Sequence, residues 1–172
     1  MYKFAAASEG ELIVFGSARP EYDAVPVWIE FMKTQGIQRV CCLLPESQVS
    51  RYTDLLGTYG REFKAVCWSP IEDFRLSDQI NLTEKILPFL AKADQKNEKV
   101  VVHCSGGIGR TGHVLAAWLV YGRGISPKDA ISSVKKTGKN PQEAAIAAVF
   151  FGRNPFTVIR ELNDLLNSVQ PK

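Results

Sequence analysis

The stretch that decides the fold of this chain reads Val100-Val101-Val102-His103-Cys104-Ser105-Gly106-Gly107-Ile108-Gly109-Arg110-Thr111-Gly112. It joins an apolar run of β-branched residues to a cysteine, a glycine-rich loop and an arginine. A short run of valines predicts a buried strand, and the residues after the loop have the composition of a helix. The pattern therefore places a cysteine between the end of a strand and the start of a helix.

Cys104 and Arg110 are the reactive side chains of this stretch. A cysteine at a helix N-terminus meets oriented backbone N–H groups and the positive end of the helix dipole, and both stabilise its thiolate. The same amides form a cradle for a tetrahedral oxyanion, and the planar guanidinium can bind two phosphate oxygens at once. The residues predicted to bind phosphate are Ser105, Gly106, Gly107, Ile108, Gly109 and Arg110.

The pattern His-Cys-x5-Arg-Thr resembles the signature loop of the cysteine-based protein tyrosine phosphatases, and the segment Ile71-Glu72-Asp73-Phe74 resembles the acid loop of the small dual-specificity phosphatases. This resemblance implies an α/β fold with a mainly parallel central sheet flanked by helices and a C-terminal helical cluster. It also implies metal-independent, cofactor-free hydrolysis of phosphomonoesters through a cysteinyl-phosphate intermediate. By the same resemblance His103 supports the loop by hydrogen bonding and does not contact phosphate.

The same stretch is compatible with two other interpretations. A lone cysteine after an apolar strand is usually a small buried hydrophobe, but the flanking histidine and arginine favour a nucleophile. The spacing Gly107-x-Gly109-x-x-Gly112 also satisfies the dinucleotide-binding fingerprint. That fingerprint requires a further strand that ends in an acidic residue, whereas here we expect only helices to follow.

Two further side chains are assigned to the reaction. The Thr111 hydroxyl is placed to donate to the sulfur when the sulfur becomes the leaving group. Members of the resembled family carry an aspartate as general acid on an upstream loop, and the candidate loop here is residues 69–76. We predict Asp73 as that acid, ahead of Glu72 and then Asp78.

Length and composition indicate a globular protein with a single domain. Its 172 residues predict a single catalytic domain over residues 1–172, and the 45% hydrophobic and 23% charged content is typical of a globular protein. A net charge of +3 favours neither nucleic acid nor membrane as a partner. Four cysteines without metal-type spacing and a terminus unlike a signal peptide predict a cytoplasmic protein, and we expect a monomer.

The order of predicted elements supports a parallel sheet. Strands are expected over residues 11–16, 38–44, 62–68 and 99–103, with residues 2–6 pairing against the first. Helices are expected over residues 24–35, with Val27 on the buried face, over residues 51–59, and from a Ser77 cap to residue 93. After the signature loop, a helix over residues 111–121 is followed by three helices that begin near Ser126, Asn140 and Asn154.

The substrate class is predicted from residue types that the signature loop does not contain and from the length of the chain. It carries no lysine, which by resemblance disfavours a phosphoinositide phosphatase, and the chain is shorter than a full tyrosine-specific domain. We therefore predict a phosphatase of phosphotyrosine, phosphoserine and phosphothreonine in proteins. A phosphatase of small phosphorylated metabolites or nucleotides and a phosphate-binding module with little turnover remain the alternatives. Three lysines after the loop either attract a phosphopeptide or solvate a helix end: Lys135, Lys136 and Lys139.

Overall fold

A five-stranded sheet forms the centre of the computed structural model, which describes residues 1–171. The strands lie in the order β1, β2, β5, β3, β4, and every neighbouring pair except β1 with β2 is parallel. The mainly parallel sheet predicted from the sequence is therefore confirmed. The strand bounds are β1 Ala5–Ala6, β2 Val14–Ala18, β3 Arg39–Cys42, β4 Ala65–Trp68 and β5 Val100–Cys104.

The strand that precedes the signature loop lies in the middle of the sheet, between β2 and β3. All five residues of β5 are buried, because helices cover both faces, and this explains the unbroken apolar run. In the register of the sheet, Cys104 is paired with Ala18 of β2. Ligands of parallel sheets bind beyond the carboxyl ends of the strands, and the signature loop leaves the sheet at that edge.

Helices pack on both faces of the sheet. On one face, α1 and α3 bury Trp28, Met32 and Tyr59 against β3 and β5. On the other, α5, α6, α7 and α9 share a second core with the sheet. The α-helices within residues 1–171 are α1 Val25–Thr34, α2 Glu46–Val49, α3 Leu55–Glu62, α4 Gln79–Asn81, α5 Leu87–Gln95, α6 Gly109–Arg123, α7 Pro127–Lys136, α8 Glu143–Ala148 and α9 Pro155–Ser168. A π-helical segment, Leu82–Ile86, joins α4 to α5, and a 3-10 turn, Val149–Phe151, follows α8.

The helix after the loop, α6, is buried from Gly109 to Val120. It lies between the sheet and the C-terminal helices, contacting β5 and β2 on one side and α7, α8 and α9 on the other. A helix enclosed in this way needs apolar residues all round, which is why its sequence lacks a polar face. The predicted C-terminal helical cluster is confirmed, with caps at Ser126 before α7 and at Asn154 before α9.

Three local predictions were wrong. The second predicted helix begins at Leu55 and not at residue 51, because the Asp54 side chain caps it by accepting from the Gly57 N–H. Asp78, and not Ser77, caps α4, since its carboxylate accepts from the Asn81 N–H at 2.8 Å. In α1, Val27 is exposed, because the helix turns Trp28 and its neighbours towards the sheet.

No helix within residues 1–171 combines the length and the apolar character that crossing a bilayer requires.

Candidate active site

The sulfur of Cys104 lies at the end of β5, in a residue that is almost fully buried. The Thr111 hydroxyl, in the first turn of α6, donates to this sulfur at 3.0 Å. A hydroxyl that donates to sulfur stabilises negative charge on it. The two predicted residues are thus brought together, in the arrangement that a thiolate nucleophile and leaving group requires.

The loop between Cys104 and α6 is held by backbone packing. Gly107 has a left-handed φ of +70°, and a Cβ there would collide with the Ala18 nitrogen and lie 2.7 Å from the Ser17 carbonyl oxygen. Only glycine fits this close approach. On the other side, the Arg19 N–H donates to the Ser105 carbonyl at 3.1 Å. The end of β2 therefore fixes the shape of the loop.

Arg110 connects the loop to the predicted acid loop (residues 69–76). Its side chain is 3% exposed, its Nη1 donates to the Ile71 carbonyl at 3.0 Å, and its Nη2 lies 3.1 Å from the Asp73 carboxylate. The Asp73 side chain is 48% exposed. One guanidinium thus anchors the acid loop, and Arg110 also lines the pocket.

A small pocket of about 150 Å³ opens above the sulfur. Among the three candidate acids only Asp73 lines it, and Asp78 caps a helix instead. Gly107 does not line the pocket, since it packs against β2. The lining residues are Asp73, Phe74, Cys104, Ser105, Gly106, Ile108, Gly109, Arg110 and Glu143.

The acid loop is anchored at its start and strained near its tip. The Ser69 and Ile71 N–H groups donate to the carbonyls at the end of β3, each at 3.0 Å. Phe74, directly after Asp73, has a φ of +55°, which a residue with a side chain rarely adopts. Its N–H donates to the Asp73 carboxylate at 3.2 Å. Asp73 is therefore held by its own neighbour as well as by Arg110.

His103 lies in β5 directly before Cys104, and its ring contacts α3 and α1. Its Nε2 is hydrogen-bonded to the Tyr59 hydroxyl at 3.2 Å, and its ring packs on the edge of Trp28. Burial lowers the pKa of His103 to about 3, so the ring is neutral at pH 7. It lies outside the pocket lining. Neither Tyr59 nor Trp28 could be named from the sequence, because they come from α3 and α1.

His113 links the acid loop to the phosphate-binding loop. Its Nε2 accepts from the Ser77 N–H at 3.0 Å, and its Nδ1 lies 3.3 Å from the Gly109 carbonyl. Burial lowers the pKa of this imidazole to about 4. The neutral ring thus accepts at one nitrogen and donates at the other. The sequence assigned this histidine no catalytic role, and the structure gives it a positioning contact.

Glu143 is a pocket residue that the sequence did not single out. It is the first residue of α8, and a Cβ on Gly109 would collide with its Oε2. Burial and then the nearby Asp73 carboxylate raise the pKa of Glu143. The sequence carries a helix-start signal here, Asn140-Pro141-Gln142-Glu143. It carries no signal that α8 folds back over the loop.

Lys139 differs from the other two lysines of its segment. Lys135 and Lys136 end α7 in solvent, which fits both alternatives, whereas Lys139 is 2% exposed and its Nζ donates to the Lys3 carbonyl at 2.7 Å. Burial lowers its pKa to about 8. Its Cε and the Thr111 methyl group lie so close to Gly16 that a Cβ at that position would collide with both. It is therefore a buried charge behind the nucleophile, and neither alternative drawn from the sequence describes it.

The other three cysteines lie in strands, as expected for core residues. Cys41 and Cys42 are fully buried and Cys67 is partly buried. Burial raises the pKa of Cys42 to about 12, which leaves it a neutral thiol. All four cysteines are free.

Comparison with protein families gives one match over most of the chain. The model of the dual specificity phosphatase catalytic domain matches residues 29–146. Cyclin-dependent kinase inhibitor 3 of Rattus norvegicus is 34% identical over 109 residues, which cover 62% of this chain and 51% of that protein. A dual specificity protein phosphatase of vaccinia virus is 37% identical over 51 residues, 30% of either chain. The chain spans about half the length of the first of these relatives.

Solved structures share the fold. Tk-PTP in its active form has a TM-score of 0.66 and 26% identity, over 88% of this chain and 92% of that one. Kinase associated phosphatase has a TM-score of 0.70, over 90% of this chain and 87% of that one. At 24% identity the second match is a similarity of fold alone.

Proposed function

This chain belongs to the dual-specificity phosphatase family and carries its catalytic domain, and we propose that it hydrolyses phosphomonoesters of proteins through a cysteinyl-phosphate intermediate. The observation that carries the proposal is the convergence of Cys104, Arg110 and Asp73 on one pocket. A nucleophile, a bidentate anion ligand and a carboxyl group are the three elements that phosphate displacement requires.

In the first step the Cys104 thiolate attacks phosphorus in line with the ester oxygen. Arg110 and the loop amides bind the three remaining phosphate oxygens, on which negative charge is spread. The phosphorus–oxygen bond breaks as Asp73 donates its proton to the leaving oxygen. The products are a free hydroxyl group on the substrate, a cysteinyl phosphate and an Asp73 carboxylate.

In the second step the same carboxylate takes a proton from water, and the water oxygen attacks phosphorus. The phosphorus–sulfur bond breaks and returns the electron pair to Cys104. The Thr111 hydroxyl, 3.0 Å from the sulfur, stabilises the thiolate that leaves. Inorganic phosphate departs, and Asp73 is again protonated. These side chains supply every proton and charge that the two steps need, without a metal ion.

Two features support phosphotyrosine, phosphoserine and phosphothreonine in proteins as the substrate class. The pocket of about 150 Å³ is small, so it holds a phosphate group and little of what carries it. The loop from Ser105 to Gly109 carries no lysine that would bind a second phosphate.

The test is hydrolysis of p-nitrophenyl phosphate and of phosphopeptides by the wild type, Cys104→Ser and Asp73→Asn in the presence of EDTA. We expect activity to resist EDTA and to vanish in Cys104→Ser. Asp73→Asn should slow phosphopeptides by about 100-fold or more and the nitrophenyl ester less, since nitrophenolate leaves without a proton. Glu72→Gln is the matched control and should remain active. Selective turnover of a phosphorylated metabolite in place of phosphopeptides would contradict the protein substrate.

A further inference from the structure

Lys139 is a buried lysine to which neither step of the reaction assigns a role. Its Nζ donates to the backbone carbonyl of Lys3, and within residues 1–171 no carboxylate forms an ion pair with it. Burial of an ammonium group beside a single neutral acceptor opposes folding, because the group loses its water without gaining a counter-charge. The surroundings of Lys139 therefore decide what compensates its charge.

A glycine in β2 makes room for this lysine beside the nucleophile. A Cβ on Gly16 would collide with the Lys139 Cε and lie 2.7 Å from the Thr111 methyl carbon, so these two side chains are near neighbours. Gly16 is paired in register with Val102, and side chains at paired positions lie on the same face of the sheet. Because side chains alternate along a strand, Cys104 shares that face. The lysine therefore lies on the face that carries the sulfur, next to the threonine that donates to it.

The groups that line the pocket do not compensate a negative charge on the sulfur by themselves. Arg110 is paired with the Asp73 carboxylate at 3.1 Å, and Glu143 brings a second carboxyl group into the lining. When both carboxyl groups are ionised, negative charges outnumber the one positive charge, which disfavours a thiolate beside them. In the neighbouring strand positions, His103 is a neutral ring and Cys42 is a neutral thiol. A stable thiolate therefore requires a further cation.

Two other cations near the end of β2 do not meet this requirement. The Arg19 Nη1 donates to the hydroxyl of Tyr52, which belongs to the core on the other face of the sheet, and Lys3 is exposed to solvent. The titratable groups that face Lys139 are Lys3 and the sulfur of the nucleophile. Burial lowers the pKa of Lys139 to about 8, and negative charge on the sulfur opposes that change.

We propose that Lys139 is a positioning residue of the reaction, whose buried ammonium group is the counter-charge that keeps the Cys104 sulfur anionic. This inference rests on the proposed function and adds a residue to its site. Lys139 does not line the pocket, so substrate does not displace it. It therefore stabilises the thiolate both as the attacking group and as the leaving group. A buried charge at this range should move thiolate formation by about one pH unit.

The experiment follows alkylation of Cys104 by iodoacetamide against pH, by mass spectrometry, in the wild type, Lys139→Met and Lys139→Gln. Methionine removes both the charge and the donor to the Lys3 carbonyl, whereas glutamine removes the charge and keeps a donor. We expect the midpoint of thiolate formation to rise by about one pH unit in both variants. The acidic limb of kcat/KM for p-nitrophenyl phosphate should move with it. Lys136→Met removes an exposed charge from the same segment and is the control, which should match the wild type.

A second measurement does not depend on the folding of the Lys139 variants. If the ammonium group stabilises the thiolate, the thiolate stabilises the ammonium group by the same amount. The pKa of Lys139 is followed by NMR of its side chain in the wild type and in Cys104→Ser. We expect this pKa to be about one pH unit lower in Cys104→Ser, because the serine hydroxyl carries no charge.

Three results would overturn the inference. The first is an equal alkylation midpoint in the wild type and Lys139→Met. The second is a shift in Lys139→Met that is absent from Lys139→Gln, since it would assign the effect to the contact with Lys3 and not to the charge. The third is an equal pKa of Lys139 in the wild type and Cys104→Ser. Failure of the proposed function is seen separately, as absence of phosphopeptide turnover in the wild type, because neither alkylation nor NMR needs turnover.

Discussion

The floor of the pocket (residues 104–110) and its rim (residues 69–76 and α8) are held by different kinds of contact. Backbone contacts hold the floor, through Gly107 against β2 and Ser105 against Arg19. Backbone hydrogen bonds to the end of β3 anchor only the start of the rim, and its tip is held by side-chain contacts from distant segments, through Arg110 to Asp73 and Phe151 to Phe74. Backbone packing tolerates little change, whereas side-chain contacts can be exchanged. We therefore expect the floor to set the chemistry and the rim to select the substrate.

Arg110 is part of the floor and its side chain also contacts the rim, so its replacement should have the largest effect. Arg110→Lys removes the fork that binds phosphate and the paired contacts to Ile71 and Asp73. We expect kcat/KM to fall about 1,000-fold, measured on a phosphopeptide. Arg75→Lys on the same rim is the control and should be near wild type. A loss of less than tenfold in Arg110→Lys would show that the floor works without the guanidinium fork.

Alanine substitutions at two glycines of the same loop test whether backbone packing shapes the floor. In Gly107→Ala the new methyl group collides with Ala18 and the φ of +70° is unfavourable. The loop must shift, and we expect kcat to fall about 100-fold with some loss of thermal stability. Gly106→Ala is the matched control, because a Cβ there meets open space. If both variants lose the same activity, steric packing against β2 is not what shapes the floor.

The two buried histidines give a pH-dependent stability. In the folded chain their pKa values are about 3 for His103 and about 4 for His113, below the ordinary value of about 6.5. The unfolded chain therefore binds more protons as the pH falls below about 6.5, and folding weakens down to about pH 4 for His113 and about pH 3 for His103.

We expect the free energy of unfolding in urea to drop by about 1 kcal/mol per histidine between pH 7 and pH 5.5. In His113→Gln, half of this drop should disappear, because only His103, beneath the floor, remains. Equal stability of the wild type at both pH values would mean that the two rings are not buried in the neutral form.

The smallest effect is expected at the rim, from Glu143→Gln. The carboxylate lines the pocket, and burial with the charge of Asp73 raises its pKa. Its charge repels an incoming phosphate, so we expect KM to fall about threefold with kcat nearly unchanged. Glu161→Gln, outside the pocket, should change neither constant. A large fall in kcat for Glu143→Gln would instead place this carboxyl among the catalytic groups.

Much of the floor could be predicted because its residues are adjacent in the chain. The valine run, the cysteine, the glycines and Arg110 lie within thirteen residues, so local geometry alone predicts a strand, an anion-binding loop and a helix. Thr111 could be predicted to meet the sulfur for the same reason. Their roles in catalysis stay predictions until the variants are measured.

The rim could not be predicted to the same degree, because its contacts join distant segments. Asp73 could be ranked first among three acids, but its ion pair with Arg110 depends on how residues 69–76 cross the sheet edge. Glu143 and Lys139 follow the loop by about thirty residues, and only the fold brings one into the pocket and buries the other behind it.

The sequence by itself predicted the order of strands and helices, the candidate nucleophile and the chemical class of the site, because these follow from residue periodicity and from groups within one or two turns of each other. Only the tertiary structure decided which acid forms an ion pair with Arg110 and which lysine is buried. Those outcomes depend on the packing of segments far apart in the chain. The residues of one segment do not by themselves determine which distant segment packs against it.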